Sequence, residues 1–271
     1  MKYPVVLSIA GSDSSGGAGI QADLKTMSAL GVFGSTAITA ITAQNTVGVN
    51  VVQGVAPDVV AAQIDAVFSD LHPDAVKIGM LFSSDIVEVV AQRLAYWKPR
   101  WIVLDPVMIS TSGCKLIADD AIEALLQKLM PMASILTPNR AEAAHIAGMG
   151  MTTADDVNEV ARRILSLGCN AVLMKGGHFS DGAMTDRLYL SDGSCHEYKG
   201  RHVDTANTHG TGCTLSSAIA SHLALGHLLP DAVAAAKDYL QHALEAGANV
   251  KIGAGHGPVN HFFNPQKLTI L

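Results

Sequence analysis

Charge is scarce in this chain. Asp, Glu, Lys and Arg make up 15% of its 271 residues, against 49% apolar residues, so the surface is lightly charged and much of the chain is buried. The length allows a large core in one α/β domain or two small domains. No basic block occurs and the formal charge is −6, which argues against nucleic acid as a partner. An anionic nucleotide would need local donors to offset that charge. The four cysteines (Cys114, Cys169, Cys195 and Cys213) are scattered without a C-x-x-C pair, so neither a zinc site nor a disulfide framework is indicated, and a reducing cytoplasm fits best. No apolar run is long enough for a membrane span. Met1 to Ala10 superficially resembles a signal peptide, but its apolar stretch is short and runs into Gly11-Ser12-Asp13, as a first core strand would. Linkers, repeats and low-complexity tracts are also missing, which favours one domain over residues 1–271.

What is present is an alternation of short apolar runs with helical patterns. Strands are expected at Val5 to Ala10, Ser35 to Thr42, Ala75 to Ile78, Trp101 to Leu104, Ser134 to Leu136 and Ala171 to Met174. Helices are expected at Ala18 to Leu30, Pro57 to Ser69, Ser84 to Trp97, Asp120 to Leu129 and Asp155 to Leu167, with Pro57 suited to a first turn. Continuously apolar strands separated by helices imply a mostly parallel α/β sheet with helices on both faces. After Gly176 the pattern changes. Arg187 to Leu190 and Ser194 to Val203 read as a small antiparallel extension around Asp192-Gly193, followed by helices Thr211 to Ala224 and Asp231 to Asn249.

Ligands of open α/β sheets bind beyond the carboxyl ends of the strands. Six such ends carry polar or glycine-rich segments: Gly11 to Gly19, Gln44-Asn45-Thr46, Gly79-Met80, Asp105 to Met108, Thr137 to Glu142 and Lys175 to His178. That clustering marks a functional rim. A seventh segment, Thr208-His209-Gly210-Thr211-Gly212-Cys213, opens the small, apolar helix that follows. Free N–H groups and the helix dipole there suit an anion, and a thiol at that end is expected to have a lowered pKa. A tight turn before a buried cysteine is the plainer alternative.

Gly11 to Gly19 lacks both the G-K-[ST] ending of a P-loop and G-x-G-x-x-G spacing, so it reads as a lid, a close backbone wall or a mobile turn. Asp23 points to the pocket or serves the helix dipole. Asp105 and Glu142 can hold Mg²⁺ beside phosphates. Alternatively, Glu142 completes a capping box with Asn139, and Asp105 is a turn residue. Lys175 at a strand end is costly unless it meets an anion such as phosphate. Gln44 can read a heterocycle edge or merely brace a turn. Met80, Val107 and Met108 can sandwich a flat ring or pack the core. His178 and His209 lack metal-ligand spacing.

Taken together, the segments Ala10 to Asp23, Ala43 to Thr46, Lys77 to Met80, Leu104 to Met108, Thr137 to Asn139, Lys175 to His178 and Thr208 to Cys213 resemble the ribokinase superfamily. Within it they resemble the hydroxymethylpyrimidine/phosphomethylpyrimidine kinases of thiamine biosynthesis. The resemblance implies a ribokinase-like fold. It also implies two successive ATP-dependent phosphorylations, of 4-amino-5-hydroxymethyl-2-methylpyrimidine and then of its monophosphate. By the same resemblance Gln44 bonds the aminopyrimidine, and Gly11, Asp23, Met80 and Val107 line its pocket. Gly210, Thr211, Gly212 and Cys213 hold the transferring phosphoryl group. Asn139, Lys175 and Thr208 serve ATP, while Asp105 and Glu142 serve magnesium. Superfamily sugar kinases usually carry Asp where Cys213 stands, so the thiol is expected to activate the substrate hydroxyl. A cytoplasmic homodimer and a monovalent cation are implied by analogy alone. Three rival readings stay open: a pyridoxal kinase of the same superfamily, a nucleotide-binding regulatory module without catalysis, and an acyl-transfer enzyme with Cys213 as nucleophile.

Overall fold

The computed structural model describes residues 1–108, 117–150, 154–176 and 184–271. Cys114, Gly177 and His178 lie outside them. In chain order the elements are β1 (Val5–Asp13), α1 (Gly19–Ala29), β2 (Phe33–Gln44), β3 (Val49–Gly54), α2 (Pro57–Asp70), β4 (Ala75–Ile78), α3 (Ser84–Trp97), β5 (Ile102–Leu104) and α4 (Asp119–Ala124). There follow β6 (Ile135–Leu136), α5 (Arg140–Ala147), α6 (Ala154–Ser166), β7 (Ala171–Met174), β8 (Met184–Leu190), β9 (Cys195–Gly200), α7 (Thr211–Ala224) and α8 (Leu229–Gly247).

Among the described residues, nine strands form one sheet in the order β3-β2-β1-β4-β5-β6-β7-β8-β9. From β2 to β7 all neighbours are parallel, while β3, β8 and β9 pair antiparallel at the two edges. Strand residues alternate between two cores because successive side chains point to opposite faces. Leu7, Ile9, Val76, Ile78, Leu104 and Val172 pack with α2, α3, α4, α5 and α6. Val6, Ala75, Val103, Ile135 and Leu173 pack with α1, α7 and α8. Both faces are thus covered, as the apolar strands require.

Three elements depart from the sequence expectation. β3 is absent from it, since half its residues are exposed and it exists only as an antiparallel partner of β2. Asp120 to Leu129 is not one helix. α4 gives way to a wide π turn at Leu125–Leu129 and a 3₁₀ turn at Met130–Met132, where Pro131 lacks the N–H to continue a ladder. The second edge strand is the shorter Cys195–Gly200. Among the described residues, no helix is long and apolar enough to cross a membrane.

Two features prepare the site. The β1–β2 register shifts between Ala10 and Ser12, which sets Gly11 at the rim. Helix α7 is built of small residues, with Ser216, Ser217, Ala218, Ala220 and Ser221 all buried. These let it lie close beneath the sheet with its N-terminus among the strand ends.

Candidate active site

A cavity of about 780 Å³ runs along the carboxyl ends of the strands. At one end Gln44, Met80 and Val107 line it, and at the other Asn139, Glu142 and Lys175. The N-terminus of α7, from Gly210 to Cys213, lies between them.

The wall at the first end is the loop after β1. Asp13 is buried, and its carboxylate accepts hydrogen bonds from the backbone of Ser15 (2.8 Å), Gly17 (3.2 Å) and Ala18 (2.8 Å). His209 Nε2 completes the set at 2.8 Å. Burial raises the Asp13 pKa, but the His209, Ser15 and Ala18 donors outweigh it and bring the carboxyl down to about 2. Lys25 Nζ ties Gly16 O at 2.7 Å. Gly19 has φ +57°, and a Cβ there would sit 2.3 Å from Gly11 O. Gly210 has φ +80°, and its Cβ would sit 1.9 Å from Gly17 O. The two glycine loops are therefore in backbone contact, and Gly11 to Gly19 is a close wall. Gly11 itself admits Met80, whose Sδ would lie 3.1 Å from an added Cβ.

Asp23 does not line the cavity. Its fully buried carboxylate accepts both contacts of Lys77 Nζ (3.0 and 2.8 Å), with Ser8 Oγ at 2.5 Å and Ser217 Oγ at 2.6 Å. The reason is sequestration: a buried lysine on β4 needs a counter-ion, and α1 supplies it. Lys77 was not expected as a functional residue, yet it reaches the cavity floor. Burial opposes its charge, but Asp23, then Cys213 and Asp105, hold the ammonium pKa above its ordinary value. The signal in sequence was a lysine inside the apolar run Ala75 to Ile78.

Cys213 also departs from expectation. It opens α7, where the helix dipole favours a thiolate. Burial nevertheless pushes the thiol up to about 11, with Asp23 and Asp105 adding to the rise against Lys77 and a Gly19 backbone hydrogen bond. The side chain borders the cavity and is half-buried, but the dense protein and two carboxylates around it decide its charge. It is a thiol at neutral pH.

Towards the second end Asp105 is buried and accepts from Thr137 Oγ1 at 3.0 Å, Lys175 Nζ at 3.3 Å and Ser216 Oγ at 3.3 Å. A Cβ on Gly212 would stand 3.5 Å from Asp105 Oδ2 and 3.7 Å from Lys175 Nζ, so the start of α7 faces this pair directly. Burial lowers the Lys175 pKa, but Asp105 and Glu142 raise it further, and the net shift is upward. Glu142 is raised by burial and by Asp105, against Lys175. The capping box is real: Asn139 Oδ1 accepts from Glu142 N at 2.9 Å, and Glu142 Oε2 accepts from Asn139 N at 2.8 Å. Asn139 thus reaches the cavity with its side-chain oxygen already engaged. Two carboxylates facing one lysine suit a magnesium ion that arrives on phosphates and keeps its waters. Among the described residues no cluster of three acidic, histidine or cysteine side chains forms a cage of its own. Thr208 lines the wall and caps the turn, its carbonyl accepting from Thr211 N at 3.3 Å.

Sequence reasoning missed the far wall, made by β8 and α8. There Asp186 accepts from Gly176 N and Lys237 Nζ, each at 2.7 Å, beside Leu240 and Leu244. Isolated charges on otherwise ordinary elements gave no motif to find.

The phosphomethylpyrimidine kinase family model matches residues 13–260. The chain belongs to this family. It is 51% identical to the hydroxymethylpyrimidine/phosphomethylpyrimidine kinase of Rhizobium meliloti (strain 1021) over 261 residues, 95% of this chain and 97% of that protein. The crystal structure of phosphomethylpyrimidine kinase from Clostridium difficile 630 superposes with a TM-score of 0.80 at 48% identity, covering 89% of this chain and 99% of that one. An ADP complex of Bacillus subtilis pyridoxal kinase gives 0.88 at 35% identity, over 96% and 98%. The ribokinase-like fold expected from the motifs is therefore the observed one. Family membership makes the chain a phosphotransferase and removes the acyl-transfer reading of Cys213.

Proposed function

We propose that this chain is a kinase that transfers the ATP γ-phosphoryl group to the hydroxymethyl arm of 4-amino-5-hydroxymethyl-2-methylpyrimidine. It then phosphorylates the resulting monophosphate to the pyrophosphate. The observation that carries this is one cavity lined both by Gln44, Met80 and Val107 and by the charged Asp105, Glu142 and Lys175. The N-terminus of α7 stands between them, where the transferred group must pass.

The residues divide the work along that line. Gln44 reads the pyrimidine edge while Gly11, Met80 and Val107 enclose the ring. The N–H groups of Gly210, Gly212 and Cys213 stabilise charge on the phosphoryl group in flight, while Thr211 N is held by Thr208 O. Lys175 binds the phosphates, and Asn139 and Thr208 border the nucleotide. Asp105 and Glu142 would hold magnesium, which neutralises phosphate charge when bound. Cys213 first loses its proton to solvent, a step that Lys77 favours, and the thiolate then takes the hydroxyl proton. The reaction belongs to thiamine biosynthesis, a place supported by a bifunctional relative. We take residues 1–271 to act as one kinase domain in a cytoplasmic homodimer.

The test is ADP release with Mg-ATP against hydroxymethylpyrimidine, its monophosphate and pyridoxal, with each product identified by mass. Turnover of both pyrimidines well above pyridoxal is expected. Turnover of pyridoxal alone would make this a vitamin B6 kinase, and ADP formation without a phosphorylated acceptor would make it a nucleotide-binding module.

A further inference from the structure

Three side chains outside the transfer chemistry meet at the ring end of the cavity. Asp13 is an acceptor only, and His209 Nε2 lies 2.8 Å from its Oδ2, so that nitrogen carries a proton. The imidazole is fixed in place. A Cβ on Gly17 would lie 2.4 Å from its Cδ2, and the His209 backbone donates to Gly257 O at 3.0 Å. Gln44 Nε2 sits 3.3 Å from the same His209 Nε2, and Gln44 Oε1 sits 3.1 Å from Thr42 Oγ1. Thr42 has one hydroxyl hydrogen for two acceptors, Ser12 O at 3.0 Å and Gln44 Oε1 at 3.1 Å.

In that arrangement two donors face each other at His209, and at Thr42 two acceptors, Ser12 O and Gln44 Oε1, compete for one hydrogen. Rotating the Gln44 amide by half a turn removes both conflicts, since its oxygen and nitrogen are distinguished only by their partners. The oxygen then shares the His209 hydrogen, and the nitrogen donates to Thr42 Oγ1. One lone pair and one N–H remain free for a ligand.

We propose that the Asp13–His209 pair, together with Thr42, sets the Gln44 amide with its oxygen towards His209, and so decides which way round the pyrimidine enters. The proposal rests on the pyrimidine reading above. An aminopyrimidine edge offers an amino donor next to a ring-nitrogen acceptor, and the hydroxymethyl arm lies beyond the amino group. An amide oxygen on the His209 side draws the amino group to that side, and the arm with it. His209 runs directly into Gly210 and α7, so the arm points at the transfer site. The reversed amide would turn the arm away. His209, Asp13 and Thr42 are positioning residues acting through Gln44.

The test compares the aminopyrimidine with its 4-oxo analogue, whose ring N–H and carbonyl reverse the donor and acceptor order. The unmodified protein should prefer the amino substrate by roughly a hundredfold in kcat/KM, since a buried mismatch leaves two groups unpaired. His209→Phe and Thr42→Val each free the amide to turn and should reduce that preference at least about tenfold. His209→Gln, which keeps a donor for Asp13, should restore most of it. Thr42→Val leaves the Asp13–His209 pair intact, so the proposal stays testable if His209→Phe does not fold. A purely structural role would weaken both substrates together, and an unchanged preference in either folded variant overturns the proposal. Failure of the unmodified protein to phosphorylate either pyrimidine would instead overturn the substrate reading, and this inference with it.

Discussion

Cys213 shows how far a residue's neighbours can override its position. A thiol at a helix N-terminus is ordinarily acidified, and nothing in Gly212-Cys213-Thr214 suggests otherwise. Burial raises it most, and the carboxylates that add to the rise, Asp23 and Asp105, come from α1 and the end of β5 and reach it only through the tertiary fold. Asp23 teaches the same lesson: its first-turn position was legible, but its commitment to Lys77 was not. A proton acceptor with a pKa near 11 is mostly in the wrong form at neutral pH. kcat/KM should therefore rise with pH from 7 towards 10, approaching about tenfold per unit. A pH-rate profile flat across that range would show that the thiolate is not the acting form.

At the scale of elements, the site is two glycine loops locked against one another, with α7 behind them. Gln44, Asp105, Glu142 and Lys175 were legible because each ends or follows an apolar strand, and the capping box of α5 was legible from the Asn139–Glu142 spacing. The contact between the loops was not, because backbone approach leaves no periodic trace. β3 escaped for a related reason, as its exposed and half-buried residues become a strand only beside β2. Gly210→Ala tests the lock. An alanine at φ +80° costs about 1–2 kcal/mol, and its Cβ would also meet Gly17 O at 1.9 Å. Urea denaturation should show a loss of about 2 kcal/mol or more, with turnover falling alongside. Unchanged stability would mean that the loops part without cost.

Over the whole molecule, the parallel sheet could be read from the sequence because strands buried on both faces are apolar throughout. What the chain does as a titrating body could not be read, since it depends on burial. His222 and His261 are both brought down to about 4 from an ordinary 6.5, His222 by burial and then His227, His261 by burial and then Lys25. Among the described residues, neither His222 nitrogen has a hydrogen-bond partner. Their unfolded forms take up protons first, so folding stability is retained above about 6.5 and falls as pH drops towards 4. At pH 5 each histidine should remove about 2 kcal/mol. His222→Phe should be less sensitive to the change from pH 7 to pH 5 by that amount, measured by urea midpoints. Parallel pH dependence in the two proteins would assign the acid sensitivity elsewhere.

All three scales converge on one claim, that the phosphoryl group changes hands beside Cys213 at the start of α7. The most direct measurement is turnover and pyrimidine affinity of Cys213→Ala, made side by side. Turnover should fall by about a hundredfold or more while the pyrimidine Kd stays within about twofold. Near-normal turnover would place the transfer away from Cys213 and contradict the account.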